Sequence, residues 1–213
     1  MKKGDLLWGA GLTAVIAFMV FPATHEIFES MTMNHPYMMG FIKFGILATM
    51  GELMAIRINA GYYKKPVGLV WKSLIWGFIG MLITLMFTIF SGGVLAAQAK
   101  GILPFEGNTF AFAFFTSAIM NGVFAPTFMA FHRYTDTYIE LNAMGKSASI
   151  TDITKEIDWN NFVNFVVLKT IPFFWIPAHT ATFMLPAEYR ILVAAFLSIA
   201  LGAILAFAKR SKQ

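Results

Sequence analysis

The residues able to do chemistry in this chain are ionisable groups set in apolar surroundings: Lys43, Glu52, Arg57, Lys169, His179 and Arg190. A charge at the centre of a membrane helix costs on the order of 3 kcal/mol on insertion scales, so such a group ordinarily meets a partner or faces water. Lys169, near the middle of an apolar stretch, and Glu52 are therefore candidates either for a pore lining or for a buried ion pair, and both readings stay open. Arg57 and Arg190 can instead snorkel to the headgroups, and Lys43 can reach the outer interface in the same way. His179 and Arg190 are placed near the outer face. If all these groups lined one cavity, cations would outnumber the single carboxylate of Glu52 and favour small anions.

Other chemistries are poorly supplied. The chain has no cysteine, which removes disulfides, thiolate ligands and thiol nucleophiles. His25-Glu26-Ile27-Phe28-Glu29 lacks the second histidine of the zinc-binding HExxH pattern. An outer metal site built from His25, His35 and His179 with the two glutamates would be the route to a membrane enzyme, the weakest of the readings. No phosphate-binding loop, dinucleotide fingerprint or Ser/His/Asp pattern is present, so neither catalysis nor a cofactor nor a bound metal is expected.

The elements that must position these groups are membrane helices. Hydrophobic residues make up 58% of the 213 positions and charged residues 13%, with a mean hydropathy of +0.67. A soluble domain carries roughly 25% charged residues to keep its surface wetted. Here the apolar surplus must face lipid. Six apolar stretches follow, at about 6–23, 37–56, 73–97, 110–131, 162–176 and 187–208, most of them long enough to cross a hydrocarbon core. The fifth is interrupted by Pro172 and Pro177 and is expected to span with a kink near Pro172. Five spans with one re-entrant segment is the alternative. Pro126 and Pro186 are further candidates for helix breaks that could open a path.

Charge placement gives the orientation. With Lys2 and Lys3 cytoplasmic, twelve of the 16 basic residues fall on that side and Lys100 falls on the other. Lys43, Lys169 and Arg190 sit within or at the edge of spans. This bias supports an even number of spans with both termini inside. It also explains the net charge of +5 without invoking nucleic acid. The first stretch is long for a secretory signal and no good cleavage site follows it, so a retained anchor is expected. One polar segment, 133–160, reads as a cytoplasmic loop with a short surface helix capped by Thr151 or Asp152. Ala194, Ser198, Gly202 and Ala206 recur every four residues, a small-residue stripe on which helix backbones can close. Gly77 with Gly80, and Gly45 with Ala48, offer similar faces.

Several of these stretches resemble one known family. His35-Pro36 followed by Gly45, Ala48 and Gly51-Glu52 is similar to the His-Pro opening and later Gly-Asp pair of the Mpv-seventeen and peroxisomal membrane protein family. Gly77-Phe78-Ile79-Gly80 resembles its Gly-Phe-Val-Gly-Pro, with Met81 where proline is usual. Asn121-Gly122-Val123-Phe124-Ala125-Pro126 is similar to its Gln-Gly-x-Phe-Ala-Pro. Trp175, Pro177, His179, Phe183, Pro186 and Tyr189-Arg190 follow its last signature. The match covers about 35–210 and leaves the first 34 residues outside. Met120, His179, Thr182 and Met86-Phe87 replace polar or aromatic residues usual in the family, so its selectivity does not carry over.

The apolar stretches make the chain an all-α polytopic bundle, one membrane domain over 1–213, and the resemblance implies that it passes small solutes or ions, anions among them, across a membrane. A scaffold acting through the 133–160 loop is the runner-up. The partners expected are the lipid bilayer, small solutes or ions and a second copy of the chain in a homo-oligomer. A bacterial plasma membrane suits the Lys-Lys start better than the mitochondrial inner or peroxisomal membrane.

Overall fold

In lipid every backbone amide must be satisfied within its own segment or a closed barrel, and this sequence answers with helices. The computed structural model describes residues 3–210, with side chains described through residue 204. In chain order the elements are α1 (Lys3–Val20), α2 (Pro22–Asn34), α3 (Pro36–Ala60), α4 (Leu69–Ala99), α5 (Thr109–Ala143), α6 (Ile150–Glu156), α7 (Trp159–Asn161), a π-helix (Phe162–Trp175), α8 (Ile176–Phe183) and α9 (Ala187–Arg210). No strand occurs among the described residues. Six helical segments are long and apolar enough to cross a membrane, the fifth being the continuous run Trp159–Phe183 of 25 residues. The chain is an all-α polytopic bundle. Six crossings bring both ends of the chain to one side, called here the basic end.

Local chemistry sets the boundaries. Pro36 opens α3, where its missing N–H is not needed. Gly61 closes that helix at φ 76°, and its amide donates to the Arg57 carbonyl at 3.0 Å. Asn108 caps α5 by accepting from the Ala111 amide at 2.9 Å. In α6 the cap is Ser149 rather than Thr151 or Asp152; Asp152 closes the box from the third position. Hydrogen bonds from Ser147 and Ser149 hold the Asp152 carboxyl below its usual range. Ile153 and Ile157 then pack on Leu141 of α5, so the polar segment is folded onto the bundle. That segment is also shorter than 133–160, because α5 continues to Ala143. At 35 residues α5 is about 52 Å long, well over a roughly 30 Å core, so its last turns emerge at the basic end.

Helix α3 is the centre of the bundle, packed on α4 along one side and α9 along the other. Lipid tails are as apolar as leucine, so close approach must come from small residues. A Cβ built on Gly80 would lie 2.3 Å from the Gly40 carbonyl oxygen, and one on Gly51 would lie 3.0 Å from the Ser198 carbonyl. A Cβ on Gly202 would lie 3.0 Å from the Gly51 carbonyl. The stripe Ala194, Ser198, Gly202 therefore faces α3, while the side chain of Ala206 lies outside the described residues. Gly45 joins the same seam, accepting from the Ser73 hydroxyl at 2.9 Å. Gly80→Ala is expected to cost about 1–3 kcal/mol, because only backbone can yield to the new methyl. Thermal unfolding in detergent checks this; an unchanged midpoint would mean that the α3–α4 contact is looser than the structure has it.

The prolines do less breaking than their positions suggest. Pro126 lies inside α5, which runs through it, and Pro177 falls in the first turn of α8. Around Pro172 the chain takes π-helical form. Proline removes an i→i−4 donor and crowds that carbonyl; a ladder shifted to i→i−5 tolerates both. The Thr170 hydroxyl reaches the carbonyl of Phe165, five residues back, at 3.1 Å. The continuous 25-residue segment Trp159–Phe183 is long and apolar enough to cross in full. Of Pro126, Pro172, Pro177 and Pro186, the last stands at a chain reversal, between α8 and α9.

Candidate functional site

The helices form two partly open cavities. The inner one has a volume of about 370 Å³ and is lined from α3, α4, α5, the π-helix, α8 and α9. The outer one, about 430 Å³, lies beyond it among α2, α3, α4, α8 and α9. Phe87 lines both. Its ring lies 4.7 Å from that of Phe183 and meets His179 edge-on at 5.6 Å between centroids. Phe87 is twelve residues from the outer end of α4, about 18 Å along the axis.

At the deep end of the inner cavity His179, 8% exposed, pairs with Asn121 across 3.1 Å and lies 5.1 Å from the Trp175 ring. Asn121 also donates to the Ser117 carbonyl at 2.8 Å, so the imidazole is held in a fixed polar niche. At the basic end an ion cluster forms. Lys72, 5% exposed, donates to Glu52 at 3.1 Å and Glu140 at 3.2 Å, and lies 3.6 Å from Asp136. His132 sits one turn before Asp136, with Nε2 at 3.8 Å from Oδ2, and packs on Trp76 at 4.2 Å between ring centroids. Glu52, Trp76, His132, Arg133 and Asp136 all line the cavity; aromatic rings such as Phe124, Phe128 and Phe165 make most of the wall between the two polar ends.

Buried polar groups are nearly always hydrogen-bonded, so exceptions mark places of interest. Glu52 Oε2, Trp76 Nε1, His132 Nε2, Asp136 Oδ1 and Trp175 Nε1 are buried atoms without a hydrogen-bond partner, and all belong to residues lining the inner cavity. The outer cavity is basic instead: Lys43 and Arg190 line it with Glu188. Lys43, 5% exposed, donates to Thr32 at 2.9 Å and lies 4.5 Å from the centre of the Phe28 ring. Arg190 donates to the Leu185 carbonyl at 2.9 Å and packs over Phe112 and Phe183.

The six ionisable candidates are therefore not brought together. Lys43 is buried rather than reaching the interface, and shares the outer cavity with Arg190. Glu52 and His179 share the inner one, and His179 lies four residues before the outer end of α8. Arg57 lines neither: it grips Asp5 of α1 through two bonds of 2.7 and 3.1 Å and ties that helix to α3. Lys169 points out of the bundle, while its neighbours Phe165, Val166 and Thr170 line the cavity. A single positive lumen does not form. Lys169→Met is accordingly expected to leave any passage through the cavities within about twofold of wild type, as surface changes usually do. Swelling of reconstituted vesicles reads this directly, and a strong loss would place Lys169 back in the path.

The outer histidines do not converge. His25 meets the Met19 carbonyl at 2.6 Å and Glu29 at 3.2 Å, far along the chain fold from His179 in its niche. No set of three or more His, Asp or Glu among the described residues is arranged to hold a metal. The residues that sequence reasoning passed over are Lys72, counted as a topological charge, and His132 and Asp136, left beyond the end of the fourth span. A signal was present: His132, Asp136 and Glu140 recur at i, i+4 and i+8, one helical face. No family model, curated protein or solved structure matches the chain.

Proposed function

We propose that the protein passes small solutes across its membrane through the interior of the bundle. The observation that supports this most directly is a shared lining residue: Phe87 lines both cavities. Irregular or widened helix is tolerated at membrane depth where it lines a cavity, and the π-helix with its proline does so here. Hydrophobic constrictions of this kind gate by excluding water, and the polar niches on both sides give a solute places to pause. The resemblance to the Mpv-seventeen family points to the same role.

The charge pattern sets what such a path would favour. The inner cavity carries the carboxylates of Glu52 and Asp136 against Arg133, and the outer cavity carries Lys43 and Arg190 against Glu188. A path of mixed sign does not favour anions throughout. Vesicles holding the purified protein, diluted into iso-osmolar polyols and organic salts, are expected to swell faster than empty vesicles for small solutes. Equal rates for every solute, with the protein shown folded and inserted, would overturn the reading.

A further inference from the structure

We infer that the outer cavity is a binding site for small hydroxylated carboxylate ions. The inference deepens the transport reading, which gives the site its purpose, but the binding itself does not depend on it. Three observations carry it.

The first is a buried cation without a counter-charge. Lys43 is 5% exposed and lines the cavity. Its ammonium donates to the Thr32 hydroxyl at 2.9 Å and lies 4.5 Å from the centre of the Phe28 ring. Among the described residues no carboxylate forms an ion pair with it. A buried lysine is ordinarily paired, and in a low-dielectric wall its charge acts across several ångströms. An anion held in the cavity supplies the missing partner without having to touch the ammonium.

The second is an open guanidinium. Arg190, half-buried, lines the same cavity. Its Nε donates to the Leu185 carbonyl at 2.9 Å, while both terminal nitrogens have no hydrogen-bond partner among the described residues and are not closed to solvent. Free terminal N–H groups in a planar fork match the two oxygens of a carboxylate. Glu188, two residues earlier, also lines the cavity. Lys43 and Arg190 against Glu188 leave one positive charge, and Lys43, the buried member, leaves one by itself. Glu29 of α2 lies outside the lining, engaged by the Tyr189 hydroxyl at 2.6 Å and by His25 at 3.2 Å. A single positive charge suits a monoanion better than a dianion such as phosphate.

The third is room with acceptors. The cavity holds about 430 Å³, within the roughly 300–1,000 Å³ of ordinary small-molecule sites. It reaches the outer end of the bundle, where exposed Pro36 and Ala187 begin α3 and α9. Thr88 and Ser91 of α4 line it, and each commits its hydroxyl hydrogen to a carbonyl of its own helix, that of Thr84 and of Thr88, at 3.2 Å. A hydroxyl so committed can only accept, so the ligand must bring the donor. A carboxylate that carries a hydroxyl group does; a bare inorganic anion does not.

Equilibrium binding tests this without any transport. Purified protein in detergent at pH 7 is titrated calorimetrically with lactate, propane-1,2-diol and protonated 1-amino-2-propanol, three probes of similar body and different head. Lactate is expected to bind about tenfold or more tightly than the other two, and Arg190→Gln or Lys43→Met to lose about tenfold of that affinity. Lys169→Met, whose side chain is exposed away from both cavities, is expected to bind lactate as wild type does. Equal affinity for the diol, preference for the ammonium, propionate bound as tightly as lactate, or no binding by any probe would each overturn the inference. Dihexanoyl phosphatidylglycerol bound more tightly than lactate would also overturn it and place a lipid headgroup in the cavity. The wild-type comparison decides even if a variant fails to fold. Lactate binding without vesicle swelling would sink the transport reading alone; swelling without a preference for lactate over the diol in binding would sink this one alone.

Discussion

Phe87→Ala is expected to raise solute passage by about thirtyfold or more. In the wild-type protein the Phe87 ring, 5% exposed and packed on Phe183 and His179, lines both cavities. A polar solute crossing that layer must shed part of its water against the rings of Phe87 and Phe183. Desolvating one hydroxyl or amide without compensation costs roughly 2–7 kcal/mol. Even the lower figure corresponds to about thirtyfold in rate, at 1.36 kcal/mol per factor of ten. Alanine removes the ring and joins the cavities, so water can follow the solute. Phe87→Leu, which keeps an apolar plug, is expected to stay close to wild type. Stopped-flow swelling of vesicles, normalised to folded protein, measures all three. If the alanine variant is folded and no faster, solute does not pass this layer.

The bundle itself was legible in the sequence; the site was not, for identifiable physical reasons. Span count follows from hydropathy alone, because lipid demands long apolar helices and flanking basic residues. Which face of a span looks inward is another matter. A helix that is apolar all round, as these are, carries no stripe to mark its buried side. Lys169 shows the consequence. Its position at mid-span leaves a pore lining and a buried ion pair equally open, yet the π-helix puts Phe165, Val166 and Thr170 on the cavity and leaves Lys169 exposed. The polar end of α5 misled in the opposite direction. A helix that rises out of the membrane has the composition of a loop, so its boundary was drawn near residue 131 and Asp136 went unnoticed.

Packing chemistry explains why the cavity lies where it does. Between α3, α4 and α9 the contacts are made by Gly40, Gly80, Gly51 and Gly202, and the backbones close to within van der Waals distance. Gly51, Ser198 and Gly202 of that seam form one wall of the inner cavity. Across from that seam, α5 and the π-helix present Phe124, Phe128, Phe165 and Trp175, rings that hold helices apart and cannot fill the gap between them. Small residues on one side and large planar ones on the other produce a bundle with a tight seam and a hollow flank. Pro172 belongs to the hollow flank, where an altered hydrogen-bond ladder disturbs no close backbone contact.

Lys72→Met is the substitution expected to harm the fold most. The lysine is buried, while Glu52 and Asp136 keep 23% and 14% of their side chains exposed. Removing one partner of a buried ion pair typically costs 3–5 kcal/mol, because the remaining charge stays desolvated and unpaired. Glu140, with 51% of its side chain exposed, can turn to water and should contribute little. The burden therefore falls on two carboxylates from different helices, α3 and α5, which would repel each other once the ammonium is gone. For a domain of this size the loss corresponds to a fall on the order of 10 °C in apparent melting temperature. The identity of the cause is separable from simple loss of packing. In Lys72→Met combined with Glu52→Gln the uncompensated charge is removed, and about half the lost stability should return, whereas Lys72→Arg should remain near wild type. A double variant no more stable than the single one would show that Lys72 acts through its methylene packing, and the unpartnered oxygens of Glu52 and Asp136 would then owe nothing to a shared charge.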